Sequence, residues 1–432
     1  MKILIRNAKV IDNDNGINLE LLDIIISDGK IAKIGKNLHD DEAKIINAKK
    51  FILTPGLIDM HVHLREPGYE YKETIETGTK AAARGGFTSV AAMANTKPVA
   101  DSIDVIAFIK KQSEIRGLVN VYPIASITKS MEGKELVDIK ALLDMGVVAL
   151  SEDGKTVKNG EILKRALEIC KSKGIPIISH CEDTCKGHQG WVMNQGEISR
   201  RLGLKGLPNS AEEVMVKRDI DLARITGSNL HIAHVSTAGS VELIRQAKSQ
   251  NLNVTAETTP HHFTLTEDAV EDYEANAKMS PPLRSEQDVK AVKAGLVDGT
   301  IDVIATDHAP HSKEEKSVGI QDAPCGIVGL ETCLPLVITK LVNNGYLTLS
   351  QALAKMTVFP AGILNLKKGS LSPGVDADIT LIDLESEKTV NTDLFESKSQ
   401  NTPFAGWKLK GWPVMTIVGG KIVYSEEVIQ TK

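Results

Sequence analysis

The chain has 432 residues, with 51 Lys and Arg against 56 Asp and Glu, a formal net charge of −5. Hydrophobic residues make up 42% and charged residues 25%, which excludes wholesale disorder and suits an ordinary globular enzyme. The acidic balance and an aromatic content of 4% argue against a nucleic-acid binder, which carries a basic excess and base-stacking rings.

No apolar run reaches the roughly 18 residues of a membrane-spanning helix. The opening MKILIRNAKVIDNDNG lacks the apolar core and small-residue cleavage site of a signal peptide. Cys170, Cys181, Cys185, Cys325 and Cys333 form no CxxC pair, so the expectation is a reduced, cytoplasmic chain without membrane contact.

Residues 1–55 read as short strands. Ile3, Ile5, Val10 and Ile11 begin the pattern, and LLDIIISDGKIAKIG carries Asp28-Gly29 as a hairpin turn. From residue 56 strands alternate with helices. The strand candidates are Gly56–His63, Thr88–Ala94, Val119–Ala125, Val147–Glu152, Ile175–His180, Leu230–Val235, Leu252–Glu257 and Ile301–Thr306. Helical stretches such as IETGTKAAARGG and SAEEVMVKRDIDLARITG lie between them, several stopping at Gly. Eight β-then-α units predict an α/β fold, a (β/α)8 TIM barrel over residues 56–363; a doubly wound open sheet is the alternative. Residues 364–432 return to strands in SLSPGVDADITLIDL and MTIVGGKIVYS, with Gly419-Gly420 at a turn. The simplest assembly joins 1–55 and 364–432 as one small β-sandwich beside the barrel.

The chemistry-bearing residues sit at strand ends. In DMHVHLR, His61 and His63 are two apart on a strand, so both face one way and can chelate one metal ion. Taken alone, HxH is as readily a polar loop edge. IPIISHCED closes on His180, NLHIAHVST on His234, VVALSEDG on Asp153 and IDVIATDHAP on Asp307. Strand ends share one face of a barrel, so four His and two carboxylates aim at a common centre. One ion takes three or four such ligands, and six suggest two ions sharing a bridge.

HVHLR, single His residues on strands five and six, and TDHAP resemble the amidohydrolase superfamily. LREPG, MANTKP, SEDG and CGIVGLET narrow the resemblance to bacterial type I dihydroorotases, and it extends to the closing GSLSPGVDADITLID. The resemblance implies reversible cyclisation of N-carbamoyl-L-aspartate to L-dihydroorotate with loss of water, the third step of pyrimidine biosynthesis. It implies two Zn2+ per subunit and a bridging hydroxide. His61, His63 and Asp307 would hold the more buried ion, His180 and His234 the other, and Asp153 would bridge them. Many relatives bridge with a carboxylated Lys; Asp153 is preferred here to Lys155 because it stands at the strand end and matches SEDG. Asp307 would be the general acid and base. Arg65, two residues past the HxH, faces the same mouth and can grip a carboxylate bidentately. His63, Asn95, Ser280, His311, Cys325 and Gly326 would join it at the substrate. Ser280 and Cys325 depart from the family pattern, where Asn and Phe are common, a change that bears on substrate affinity and not on the reaction class.

The remaining candidates read more blandly. His39 and His188 read as solvated and His231 as facing away from the ligands; His261-His262 read as loop or as residues supporting the ligands. Cys181 and Cys185 read as buried thiols rather than soft ligands. The polar stretch 308–321 could close as a lid. Rival readings are another cyclic amidohydrolase (a hydantoinase or allantoinase) and a non-catalytic scaffold for aspartate transcarbamoylase. The resemblance also implies association with that enzyme or into homo-oligomers.

Overall fold

The computed structural model describes residues 2–183 and 189–427. Its centre is a ring of eight parallel strands: Leu57–Val62, Phe87–Ala92, Asn120–Pro123, Leu150–Ser151, Ile177–Ser179, Leu230–Ile232, Val254–Thr258 and Val303–Ile304. The first three pair in order, as do the last five. Two parallel bridges close the ring, Ala125 with Leu150 and Val62 with His308. The fold is therefore a closed barrel and not a doubly wound open sheet. All eight expected strands are present but mostly shorter.

The barrel is filled, not hollow. Met60, Ala91, Ile124, Ala149, Ile178, Ala233 and Val303 form a cluster of their own in its interior. Strands one and two are buried along their whole length, as expected for a parallel sheet covered on both faces. Outer helices pack alanine-rich or aliphatic stripes against it. The helix Ile75–Arg84 starts on a Thr74–Thr77 capping box, buries Ala81, Ala82 and Ala83, and stops at Gly85.

Both chain ends enter one eight-stranded sheet. Its order runs Lys421–Ser425, Lys408–Val418, Ile379–Thr389, Ile52–Pro55, Ile3–Asp12, Ile17–Ser27 and Lys30–Gly35, with Lys44–Asn47 also pairing Ile3–Asp12. The splice is Ile52–Pro55: it lies parallel to Ile3–Asp12 and antiparallel to Ile379–Thr389, with Leu53 opposite Leu381. Asp28 (φ 52°) and Gly29 (φ 78°) both lie in the left-handed region, which the expected hairpin turn requires. The hydrogen bonding forms one continuous sheet, and Ile5, Ile24, Ile46, Leu381 and Met415 build a separate core within it. Thr380 and Thr416 fasten it to the barrel through Gly86 O (2.6 Å) and Ala83 O (2.7 Å).

Two stretches differ from expectation. His261 and His262 lie buried in a short helix, Pro260–Thr264, rather than in a loop. The polar stretch 308–321 contains the helix Lys313–Ser317, started by a Ser312–Glu315 capping box. Among the described residues, no helix is long and apolar enough to cross a membrane.

Candidate active site

The strand ends bring six side chains together. Donor atoms of His61, His63, Asp153 and Asp307 lie within 4.8 Å of one another, as do those of Asp153, His180 and His234. Asp153 belongs to both groups. Its Oδ1 is 3.4 Å from His61 Nε2, 3.4 Å from His180 Nδ1 and 3.3 Å from His234 Nε2, and its Oδ2 is 3.2 Å from His63 Nε2. Asp307 Oδ1 is 3.0 Å from His63 Nε2 and 3.5 Å from His61 Nε2. All six residues are buried. Lys155 is exposed, and its Nζ donates to Met131 O at 3.1 Å, away from this cluster.

The outer nitrogens of the first two rings are tied down. His61 Nδ1 donates to Glu257 Oε1 at 2.5 Å, and His63 Nδ1 donates to Asn95 Oδ1 at 2.8 Å. These bonds fix the tautomers and turn both Nε2 lone pairs to the centre. His61 Nε2 is buried without a hydrogen-bond partner, as is His234 Nδ1. An orphaned, inward-facing imidazole nitrogen between two carboxylates is what a cation site needs. The donor set therefore fits divalent ions that accept imidazole and carboxylate. Burial would push the Asp153 carboxyl up, but the imidazoles around it, His61 first and then His180 and His234, hold it well below its usual range.

Glu257 was not singled out from the sequence. Burial alone would raise its carboxyl, but His61 and His231 hold it well below its usual range, so it is an anion backing a ligand. His231 Nε2 donates to Glu257 Oε2 at 3.2 Å. His231 is thus no member of either ligand group, yet it steadies the residue that steadies His61. Strand seven, LNVTAE, ends on a carboxylate just as strands four and eight do, and that repeat was the available signal.

A cavity of about 330 Å³ opens onto the cluster and is lined by His63, Asp153, His180 and Asp307. Arg65, Asn95, Ser280, His311 and Cys325 also belong to its wall. Gly326 does not line it: its N–H donates to Lys278 O at 2.9 Å, and its Cα packs so close to His311 that a Cβ would come within 2.6 Å of the ring. Arg65 Nε donates to Pro310 O at 3.2 Å, and one of its outer nitrogens lies 3.5 Å from His311 Nε2, so guanidinium and imidazole stand side by side on the wall. Burial, together with the charges of Arg65, Lys72 and Lys316, pushes His311 down to about 2, so its ring is neutral. Nε2–H then donates to Cys325 O at 2.8 Å, and Nδ1 accepts from Lys72 Nζ at 3.2 Å.

At the departure site, Ser280 Oγ donates to Glu182 Oε2 at 2.9 Å, and Trp191 Nε1 donates to Glu182 Oε1 at 3.0 Å. Glu182 and Trp191 also line the cavity and were not anticipated. Cys181 is a buried thiol whose pKa burial pushes well up. Cys185 and His188 lie outside the described residues. His39 is exposed and pairs with Asp41 at 2.9 Å.

A family model described as dihydro-orotase-like matches residues 50–240, and an amidohydrolase family model matches residues 232–424. The dihydroorotase of Pelotomaculum thermopropionicum is 55% identical over 430 residues, spanning 100% of both chains. That of Geobacter metallireducens is 52% identical over 425 residues, 98% of this chain and 100% of the relative. Among solved structures, L-hydantoinase (dihydropyrimidinase) from Arthrobacter aurescens superposes with a TM-score of 0.89 at 27% identity, covering 99% of this chain and 97% of that one. With full-length identity of this order, and a strand-end ligand cluster common to both halves of the barrel, the chain belongs to the dihydroorotase family of the amidohydrolases.

Proposed function

We infer that this chain is a dihydroorotase, a cyclic amide hydrolase that interconverts N-carbamoyl-L-aspartate and L-dihydroorotate in pyrimidine biosynthesis. One observation carries the reading beyond relatedness. The buried ligand cluster opens onto a cavity with Arg65 on its wall, so an amide and a carboxylate of one small molecule can be held side by side. A hydantoinase has no carboxylate to grip on its ring, and a scaffold would not retain all six ligand candidates.

His61, His63 and Asp307 would hold one zinc ion and His180 and His234 a second, with Asp153 between them. When bound, the ions supply a Lewis acid for the carbonyl and lower the pKa of water towards neutrality. The chain's own residues do the rest. Arg65, Asn95 and the neutral His311 bind the substrate carboxylate and ring, and Ser280 and Cys325 bound the far side. In ring closure, Asp307 accepts the proton of the carbamoyl nitrogen as that nitrogen attacks the side-chain carboxyl carbon. A C–N bond forms, a C–O bond breaks and water leaves. In ring opening, Asp307 takes the proton of the attacking water and returns it to the departing ring nitrogen. The same reading divides the chain at residues 55 and 363, and includes homo-oligomers or association with aspartate transcarbamoylase, supported by the family resemblance.

The test is turnover by zinc-loaded protein, followed as loss of dihydroorotate absorbance, with hydantoin and allantoin as controls. Dihydroorotate should be opened and the controls left intact. Asp307→Asn should lower kcat by about 100-fold or more, the scale of a lost general acid–base. Absence of dihydroorotate turnover by metal-replete protein rejects the reading.

A further inference from the structure

Between Thr389 and Lys408 the C-terminal part of the chain leaves its sheet and runs to the barrel mouth. It is anchored there by the buried Phe404, which belongs to one apolar cluster with Leu265, Leu283 and Leu336. In the middle of this run Asn401 is 4% exposed. Its side chain is fully engaged: Oδ1 accepts from His311 N at 3.0 Å, and Nδ2 donates to Ala309 O at 3.0 Å and Gly326 O at 2.9 Å. Its own carbonyl accepts from Val328 N at 2.9 Å.

Asn401 thus clamps two backbone stretches: 309–311, which gives Ala309 and His311 to the cavity wall, and 326–328, which follows directly on Cys325 of that wall. Arg65 holds the first stretch from the other side through Pro310 O, and the His311 ring spans to Cys325 O. Few side chains satisfy this arrangement. It needs one acceptor and two donors at the same buried point. A carboxylate would set oxygen against two carbonyl oxygens, and an apolar group would leave three buried backbone groups unpaired. Asn401 itself does not line the cavity.

The proton-transfer residue is fixed by other bonds. Asp307 is followed by His308, whose O accepts from His63 N at 2.9 Å and whose Nε2 donates to Glu73 Oε2 at 3.2 Å. Asp307 therefore keeps its place when the Asn401 clamp is cut.

We propose that Asn401 is a positioning residue for substrate recognition: from the C-terminal part of the chain it sets His311 and Cys325 against Arg65, and so fixes the fit of the substrate carboxylate and ring. The proposal rests on the reading that His311 contacts the substrate.

The experiment compares full-length, zinc-loaded wild type with Asn401→Ala, Asn401→Ser and His311→Ala. It measures kcat and KM for dihydroorotate, zinc per chain and Tm. Asn401→Ala should raise KM about tenfold, equivalent to about 1.4 kcal/mol, with kcat and zinc content held within about twofold. A purely structural role predicts the opposite split, because a lower folded fraction reduces apparent kcat and leaves KM alone. Asn401→Ser keeps an acceptor for His311 N but cannot reach both carbonyls; it covers the case in which the alanine variant does not fold, and should raise KM about threefold. Unchanged KM in either folded Asn401 variant, while His311→Ala raises it, overturns the proposal alone. Unchanged KM in His311→Ala overturns the substrate reading and the proposal with it.

Discussion

His61 is held from behind as firmly as it is aimed. Glu257 grips its Nδ1 at 2.5 Å and is itself held by His231, so a ligand readable from HxH depends on two residues that were not assigned to it. The ligands were legible because barrel geometry puts every strand end on one face, and each of them terminates an apolar run. Glu257 obeyed the same rule and could have been found. Glu182 could have been found by parity, lying two residues beyond His180. Asn401 could not: it stands in a polar stretch, SKSQNTP, and only tertiary structure brings it to the mouth. Gly326 shows the limit of carrying a role over from a motif, because its N–H already has a partner in Lys278 O. The supporting role of Glu257 is testable through metal affinity. Glu257→Gln keeps the shape but replaces a charge-assisted hydrogen bond with a neutral one, so zinc affinity should fall about 10–100-fold. Competition with a chromophoric chelator measures it, and an affinity equal to wild type would show that the ring needs no anionic backing.

At the scale of elements, all eight strands were legible and their lengths were not. Val147–Glu152 reads as six strand residues, but only Leu150–Ser151 form the strand, and three of the four residues lost precede it. The helix holding His261-His262 was missed because five residues are too short to show a period. Contacts between elements are less legible still. Glu331, in the loop after strand eight, accepts from the N–H groups of Glu396 and Ser397 and pairs with Arg84 at 3.2 Å. Burial nevertheless pushes its carboxyl up from 4.5 to about 7, against those hydrogen bonds and Arg84. The folded state then holds a proton that the unfolded chain releases near pH 4.5. The associated stability is present below that pH and is lost as pH rises through about 7. Glu331→Gln removes this loss and leaves a constant offset. Its stability relative to wild type should therefore increase between pH 5 and pH 8, by up to about 3 kcal/mol. Urea unfolding at the two pH values reads the difference, and a gap that does not change with pH would place the Glu331 pKa at its ordinary value.

At the scale of the molecule, a chain whose two ends build one sheet cannot complete that sheet until both are in place. Ile52–Pro55 is bonded on one side to an N-terminal strand and on the other to a C-terminal one. The sheet is also fused to the barrel. Thr416 and Thr380 hydrogen-bond the last turn of the first barrel helix and the residues just after it, Ile11, Ile52 and Ile382 belong to the barrel's main apolar cluster, and Val418, Val423 and Tyr424 pack on it. Glu73, buried, joins His308 at 3.2 Å to Ser397 in the run that carries Asn401. Opening the sheet would expose part of the barrel core and release the mouth. Barrel and sheet should accordingly unfold together, although two cores of different composition would by themselves permit two steps. The tryptophans allow a direct measurement. Trp191 lines the cavity, whereas Trp407 and Trp412 lie in the C-terminal part. A variant keeping only Trp191 and another keeping only the C-terminal pair should give superimposable urea transitions by fluorescence, coincident with far-ultraviolet circular dichroism. An earlier transition at the C-terminal pair would mean that the sheet separates first. In that case substrate affinity should fall before zinc is lost, since the clamp at the mouth belongs to the sheet's chain and the ligands belong to the barrel.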